Sequence, residues 1–230
     1  MYGNYSNGYF TCKHTLKISR FHGKMESAYL LRCNMNEEIK KLEDMMQQMQ
    51  SFMDALVKYY KNTLTREVVF AGMIIKKSLD ILDSLEYALR KYNITVQISL
   101  LRLLCDNCLA IQSVIELGLK QVMDMIQNNE RVNNYMVSEE QNMSDGYLKR
   151  LVDDTYPGFG RVYKFACDSV HFSKHAMATT FLKDKDGNIT PHVDVGNKEL
   201  KDALIANNGS IITVSKIILD MLKKVCIPNW

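Results

Sequence analysis

The sequence predicts an all-α fold: a helical bundle of five to seven helices with a small β-hairpin insert near residues 179–193. Three observations lead there. The 230 residues include only 3 Pro and 11 Gly, against 14 Met and many Leu, Ile and Lys, a composition suited to long helices. Apolar residues recur at threes and fours along most of the chain. That period vanishes around residues 179–193, where β-rich runs flank Asp186-Gly187. With 47% hydrophobic and 24% charged residues, the chain has the length and composition for a substantial core. Residues 1–22 read as a weakly ordered arm carrying Lys13, His14, Lys17, Arg20 and His22, and residues 23–230 as one helical-bundle domain.

The first helix is expected from Met35, with Asn36 as N-cap before Glu37-Glu38 and an apolar stripe of Ile39, Leu42, Met45/Met46, Met49, Phe52/Met53, Leu56 and Tyr59/Tyr60. A second runs from about Thr65, a capping residue, to Lys91, with Val69, Met73, Ile75, Leu79, Leu82, Leu85 and Leu89 as its register. A third covers Thr95 to Gln127 and would be about 50 Å long at 1.5 Å per residue. The polar stretch 128–143 reads as a surface loop or short helical link. Ser144 then caps a short helix reaching Tyr156-Pro157, and a further helix follows Pro157, Gly158 and Gly160 and runs to His175. On it, Val162, Phe165, Ser169 and Phe172 form one stripe and Lys164, Asp168, His171 and His175 the next. The hairpin should turn at Asp186-Gly187 and pack on the helices, because an isolated two-stranded hairpin is marginal in water. A short helix near 197–206 and a longer one near 210–225 close the chain.

A formal charge of +3 is too small to announce a dedicated nucleic-acid binder and excludes none. The six cysteines at 12, 33, 105, 108, 167 and 226 have no framework spacing, so they are expected to be reduced thiols. Arg102 and Asp106 interrupt the best candidate for a membrane span, and the first 22 residues lack the apolar core of a signal peptide. The expectation is a cytoplasmic protein without membrane contact.

Chemistry concentrates in one place. Arg102 and Asp106 lie four apart inside the run Leu100–Ile111, so they share a helical face, with Asn107 beside them. In a core, an unpaired charge would cost several kcal/mol, so both are expected to be buried and paired. The best partner is the segment Lys164–His175, which implies a polar pocket between two helices. Cys105 and Cys108 fit C-x-x-C, but they sit in mid-helix without a second pair, and core packing accounts for them better than redox or zinc chemistry. Asp184-x-Asp186-Gly187-Asn188 has its glycine at the fourth position rather than the sixth needed by a calcium loop, and reads as a turn. Phosphate-loop, dinucleotide, nucleophile-elbow and zinc-protease signatures are absent, so no cofactor or metal is expected. His171 is the strongest acid–base candidate, because imidazole titrates near neutral pH; the plainer reading is a hydrogen-bonded histidine at a helix interface.

Leu101-Arg102…Asp106-Asn107, Asn129-Glu130-Arg131, Ser144–Leu148, Tyr156-Pro157, Val162-Tyr163 and His171-Phe172-Ser173, in this order, resemble a group of uncharacterised bacterial helical proteins across residues 60–225. That group is similar in turn to the HEPN superfamily, helical bundles that are often dimeric and frequently metal-independent ribonucleases of toxin and antiphage systems. The HEPN motif is Arg, four to six residues, then His. Here Lys164, six residues and His171 keep the spacing while replacing the arginine, which removes its bidentate fork, and Phe165 stands where a polar residue is expected. The resemblance implies an RNA-cleaving enzyme with His171 as acid or base. Lys164 would stabilise phosphate charge, joined by Arg102, which Asp106 would orient; Arg102's part is an inference outside the motif. The alternatives are a non-catalytic dimerisation or partner-binding module whose polar cluster sets helix register, and a small-ligand sensor using the same pocket.

Overall fold

The computed structural model describes residues 35–170, 180–183, 188–191, 196 and 200–227. Among them are seven α-helices: α1 (Met35–Tyr59), α2 (Arg66–Arg90), α3 (Ile94–Leu117), α4 (Leu119–Gln127), α5 (Asp145–Thr155), α6 (Phe159–Val170) and α7 (Lys201–Cys226). The bundle assembles around α3, the most apolar helix, which packs against α2, α4, α5, α6 and α7. Its apolar residues explain that position: Leu101, Leu104, Cys105, Cys108 and Ile111 are fully buried. Each such leucine or isoleucine contributes roughly 1.5–3 kcal/mol relative to exposure. α1 closes the other side against α2 and α7.

The all-α bundle with a small hairpin is as the sequence predicts. β3 (Phe181–Lys183) pairs antiparallel with β4 (Ile189–Pro191), Lys183 opposite Ile189. The expected turn residues Asp186 and Gly187 lie outside the described residues, as do the arm 1–22 and the Asp184-x-Asp186 segment. Capping at Thr65 and Ser144 is present, each hydroxyl accepting a hydrogen bond from the backbone N–H three residues on.

Four boundaries differ from the sequence reading. Asn36 lies inside the first turn of α1 rather than before it. The third helix ends at Leu117, because Gly118 takes φ +85°, outside the helical region, and α4 starts afresh. Within 128–143, β1 (Met136–Ser138) and β2 (Gln141–Asn142) form a second small hairpin, held by main-chain pairing that its polar sequence did not signal. The two C-terminal helices are one, α7 running unbroken through Asn207-Asn208-Gly209 because both asparagines find tertiary partners. The α2 register is also broader than predicted. Val68, Phe70, Ala71, Ile74, Ser78 and Ile81 are buried while Met73 is exposed, since α2 meets α1, α3, α4 and α7.

By length and composition α3 is apolar enough to cross a membrane, and 56% of its apolar window is buried inside this bundle. The central helix of a helical bundle meets the same length and composition test.

Candidate functional site

Arg102 leaves α3 toward α6, the direction expected of it, and also reaches α5, which the sequence did not indicate. Its Nη1 forms an ion pair with Asp106 one turn along the same helix. Its Nε–H donates to Cys167 Sγ at 2.9 Å and Nη2 donates to Tyr163 Oη at 2.6 Å, both acceptors on α6. The guanidinium carbon stands 4.2 Å from the centre of the Tyr163 ring, so the cation also lies against an aromatic face. Asp145, the first residue of α5, receives Nη2 at 3.4 Å, the Tyr163 hydroxyl at 3.1 Å and Asn133 Nδ2 at 3.0 Å.

Local sequence explains these placements. Tyr163 and Cys167 are four apart, so α6 presents both to one neighbour. α6 is seated by Asp153 on α5, whose Oδ1 accepts from the N–H groups of Gly158 and Gly160 at 2.9 and 2.8 Å. A Cβ at Gly160 would come within 2.8 Å of that carboxylate, so any larger residue there would push the Asp153 side chain out of its place.

Arg102 and Asp106 are paired as expected but not fully buried. Their side chains are 19% and 33% exposed, because the cluster sits at the rim of the α3–α5–α6 contact. Lys164 is not brought to it. It points to solvent and pairs with Asp168 at 3.0 Å, one position round α6 from Tyr163. His171 lies outside the described residues. Asn107 turns the other way and donates to Ser78 on α2 at 2.9 Å.

Burial raises the Tyr163 phenol well above its usual range; Arg102 opposes this and Asp145 adds to it, so the hydroxyl is a proton donor at neutral pH. Cys105, one turn from the cluster, is pushed up to about 12 by burial against the pull of Arg102. Cys226 reaches about 12 and Cys108 also rises, both chiefly by burial, so these are inert packing thiols. No disulfide is formed by the described cysteines, and no group of His, Cys, Asp and Glu among the described residues can hold a metal ion.

Sequence reasoning found Arg102, Asp106 and the partner helix, but did not single out Tyr163, Cys167 or Asp145. The four-residue spacing of Tyr163 and Cys167 was the available signal. A concavity of about 560 Å³ elsewhere, beside the α3–α4 turn, is lined by Lys120, Asp124, Met125, Glu130 and Tyr135 and includes none of the candidate residues. Comparison with protein-family models, with curated proteins and with solved structures finds no match to this chain.

Proposed function

We propose that this chain is a helical partner-binding or dimerising module in which the Arg102 cluster is a clamp that fixes the seating of α5 and α6 on α3. One observation carries the reading: the Arg102 charge is matched inside the fold, by Asp106 on its own helix and by Asp145 from α5. A cation so matched, with its Nε and Nη2 donors engaged by Cys167, Tyr163 and Asp145, ties α5 and α6 to α3 and sets their register. The experiment is amide hydrogen exchange on wild type and Arg102→Gln. Loss of protection confined to residues 145–170, with 66–90 unchanged, supports the clamp; equal protection in both proteins sinks it. Light scattering reports the dimer.

A metal-independent RNA endonuclease of HEPN type, acting in a toxin or antiphage system, is the second reading. It is favoured by the Lys164-x6-His171 spacing together with the solvent-facing position of Lys164. His171 would move the proton and Lys164 would meet phosphate charge. Purified chain incubated in EDTA with single-stranded and structured RNA decides between them. Cleavage by wild type that His171→Ala abolishes, and that Lys164→Arg retains better than Lys164→Ala, replaces the module reading with this one.

A further inference from the structure

Asp106 alone neutralises Arg102, so the second carboxylate at the cluster is surplus to charge balance. Asp145 nevertheless has donors aimed at both of its oxygens. Arg102 Nη2 and the Tyr163 hydroxyl meet Oδ2 at 3.4 and 3.1 Å, and Asn133 Nδ2 meets Oδ1 at 3.0 Å. A guanidinium, a phenol and an amide converging on two oxygens form an oxyanion receptor, since all three are the groups that recognise carboxylate and phosphate.

Two features make the occupant replaceable. The Asp145 side chain is 45% exposed, so solvent reaches the receptor from outside, whereas Arg102 behind it is 19% exposed. The Arg102–Asp145 contact, at 3.4 Å, is long for a charge-assisted hydrogen bond, while Arg102 holds Tyr163 at 2.6 Å and Cys167 at 2.9 Å. Arg102 and Tyr163 are therefore held to each other independently of Asp145 and would persist without it, while Asn133, on the exposed turn Val132–Asn134, would be free to follow the new oxygen.

We propose that Arg102, Tyr163 and Asn133 form a phosphate-group binding site that Asp145 occupies in this state as a built-in competitor. The inference rests on the clamp reading and adds to it what opens the clamp. An incoming phosphate oxygen takes the donors of Asp145, whose side chain swings into solvent and whose α5 end is released from Arg102. Ser144 still caps α5 through its hydrogen bond from the Tyr147 N–H, so the helix survives the exchange.

The test is calorimetric titration of the full chain with inorganic phosphate at constant ionic strength set by chloride, for wild type, Asp145→Asn and Asp145→Asn/Arg102→Gln. Removing the competing charge should tighten phosphate binding at least tenfold in Asp145→Asn, and the double variant should lose it. Tyr163→Phe in the Asp145→Asn background should weaken it severalfold. If Asp145→Asn folds poorly, Asp145→Ser removes the same charge and the same titration decides. Equal affinity in wild type and Asp145→Asn, or no saturable binding in either, overturns the proposal. A parallel arm with a short single-stranded RNA separates the sources of the phosphate group: tighter binding than inorganic phosphate assigns it to a nucleic acid, response to inorganic phosphate alone to a small molecule. Failure here leaves the clamp reading standing, because the hydrogen-exchange result on Arg102→Gln does not depend on phosphate.

Discussion

Two polar clusters hold helices across this bundle, and they are built on different terms. At the α3–α5–α6 rim, Arg102 meets a buried phenol, a half-buried thiol and two carboxylates that water reaches. On the opposite side, α7 crosses α1 and α3 through buried amides. Asn208 donates to Glu38 Oε2 at 2.8 Å and to the Glu38 carbonyl at 3.1 Å, while Gln97 donates to the Leu204 carbonyl at 2.9 Å and accepts from Asn207 at 3.3 Å. Glu38, Gln97 and Asn208 are essentially unexposed. Water can replace a lost partner at the rim and cannot inside the seam, so the seam is structural while the rim can exchange partners.

The largest effect should therefore come from Asn208→Ala. It strips the buried Glu38 carboxylate of its cross-helix donor, leaving it Lys41, and removes buried side-chain volume; about 3 kcal/mol of stability should be lost. Arg102→Gln should cost about half as much, because Asp106 and Asp145 are partly hydrated when abandoned. Urea unfolding of both variants measures the contrast. Equal losses would erase the distinction drawn between seam and rim.

How much of this was legible follows from the same contrast. Arg102 and Asp106 announced themselves because a four-residue charge pair stands out in an apolar run, and α6 could be named as the partner. Tyr163, Cys167 and Asp145 were not singled out, since their roles come from packing between residues 43 to 65 apart in sequence. The Glu38–Asn208 link joins positions 170 apart, and from sequence Asn207-Asn208-Gly209 reads as a break between helices. Its helicity is decided by partners on α1 and α3, which no local propensity encodes. Gly118 was visible as a residue and was read through, because apolar periodicity continues on both sides of it.

Alkaline pH sharpens the comparison from the buried side. Cys105 beside the rim and Cys226 at the end of α7 both have folded pKa values of about 12, above the ordinary thiol value. A raised folded pKa means that the unfolded chain releases these protons first. Stability should thus hold below about pH 9 and fall between about pH 9 and 12, at up to about 1.4 kcal/mol per pH unit for each thiol. Urea midpoints at pH 8 and pH 10 check the slope, and Cys105→Ala should flatten it. A Cys105→Ala profile parallel to wild type would mean that water reaches this thiol, extending the hydrated rim into α3. The Tyr156–Asp220–Lys224 cluster between the end of α5 and α7 should add an acid limb. Hydrogen bonds from Lys224 and Tyr156 hold the Asp220 carboxyl below its usual value, so its contribution is lost as pH falls below the ordinary carboxylate range.

The smallest effect has the opposite sign and tests whether the seam, rather than local sequence, keeps α7 in one piece. Gly209 sits exposed in mid-helix, and a Cβ built there meets nothing within 4 Å. If its flexibility serves no bend, Gly209→Ala only removes freedom from the unfolded chain and should stabilise by about 0.5–1 kcal/mol. Thermal unfolding measures it, with a rise of a few degrees expected. Combined with Asn208→Ala, the gain should persist unchanged, because an alanine at 209 strengthens the helix without replacing the tie to Glu38. A larger gain in that double variant would show that Asn208 had been holding together a helix otherwise prone to break at 207–209, and would assign to the seam a role in secondary structure as well as in docking.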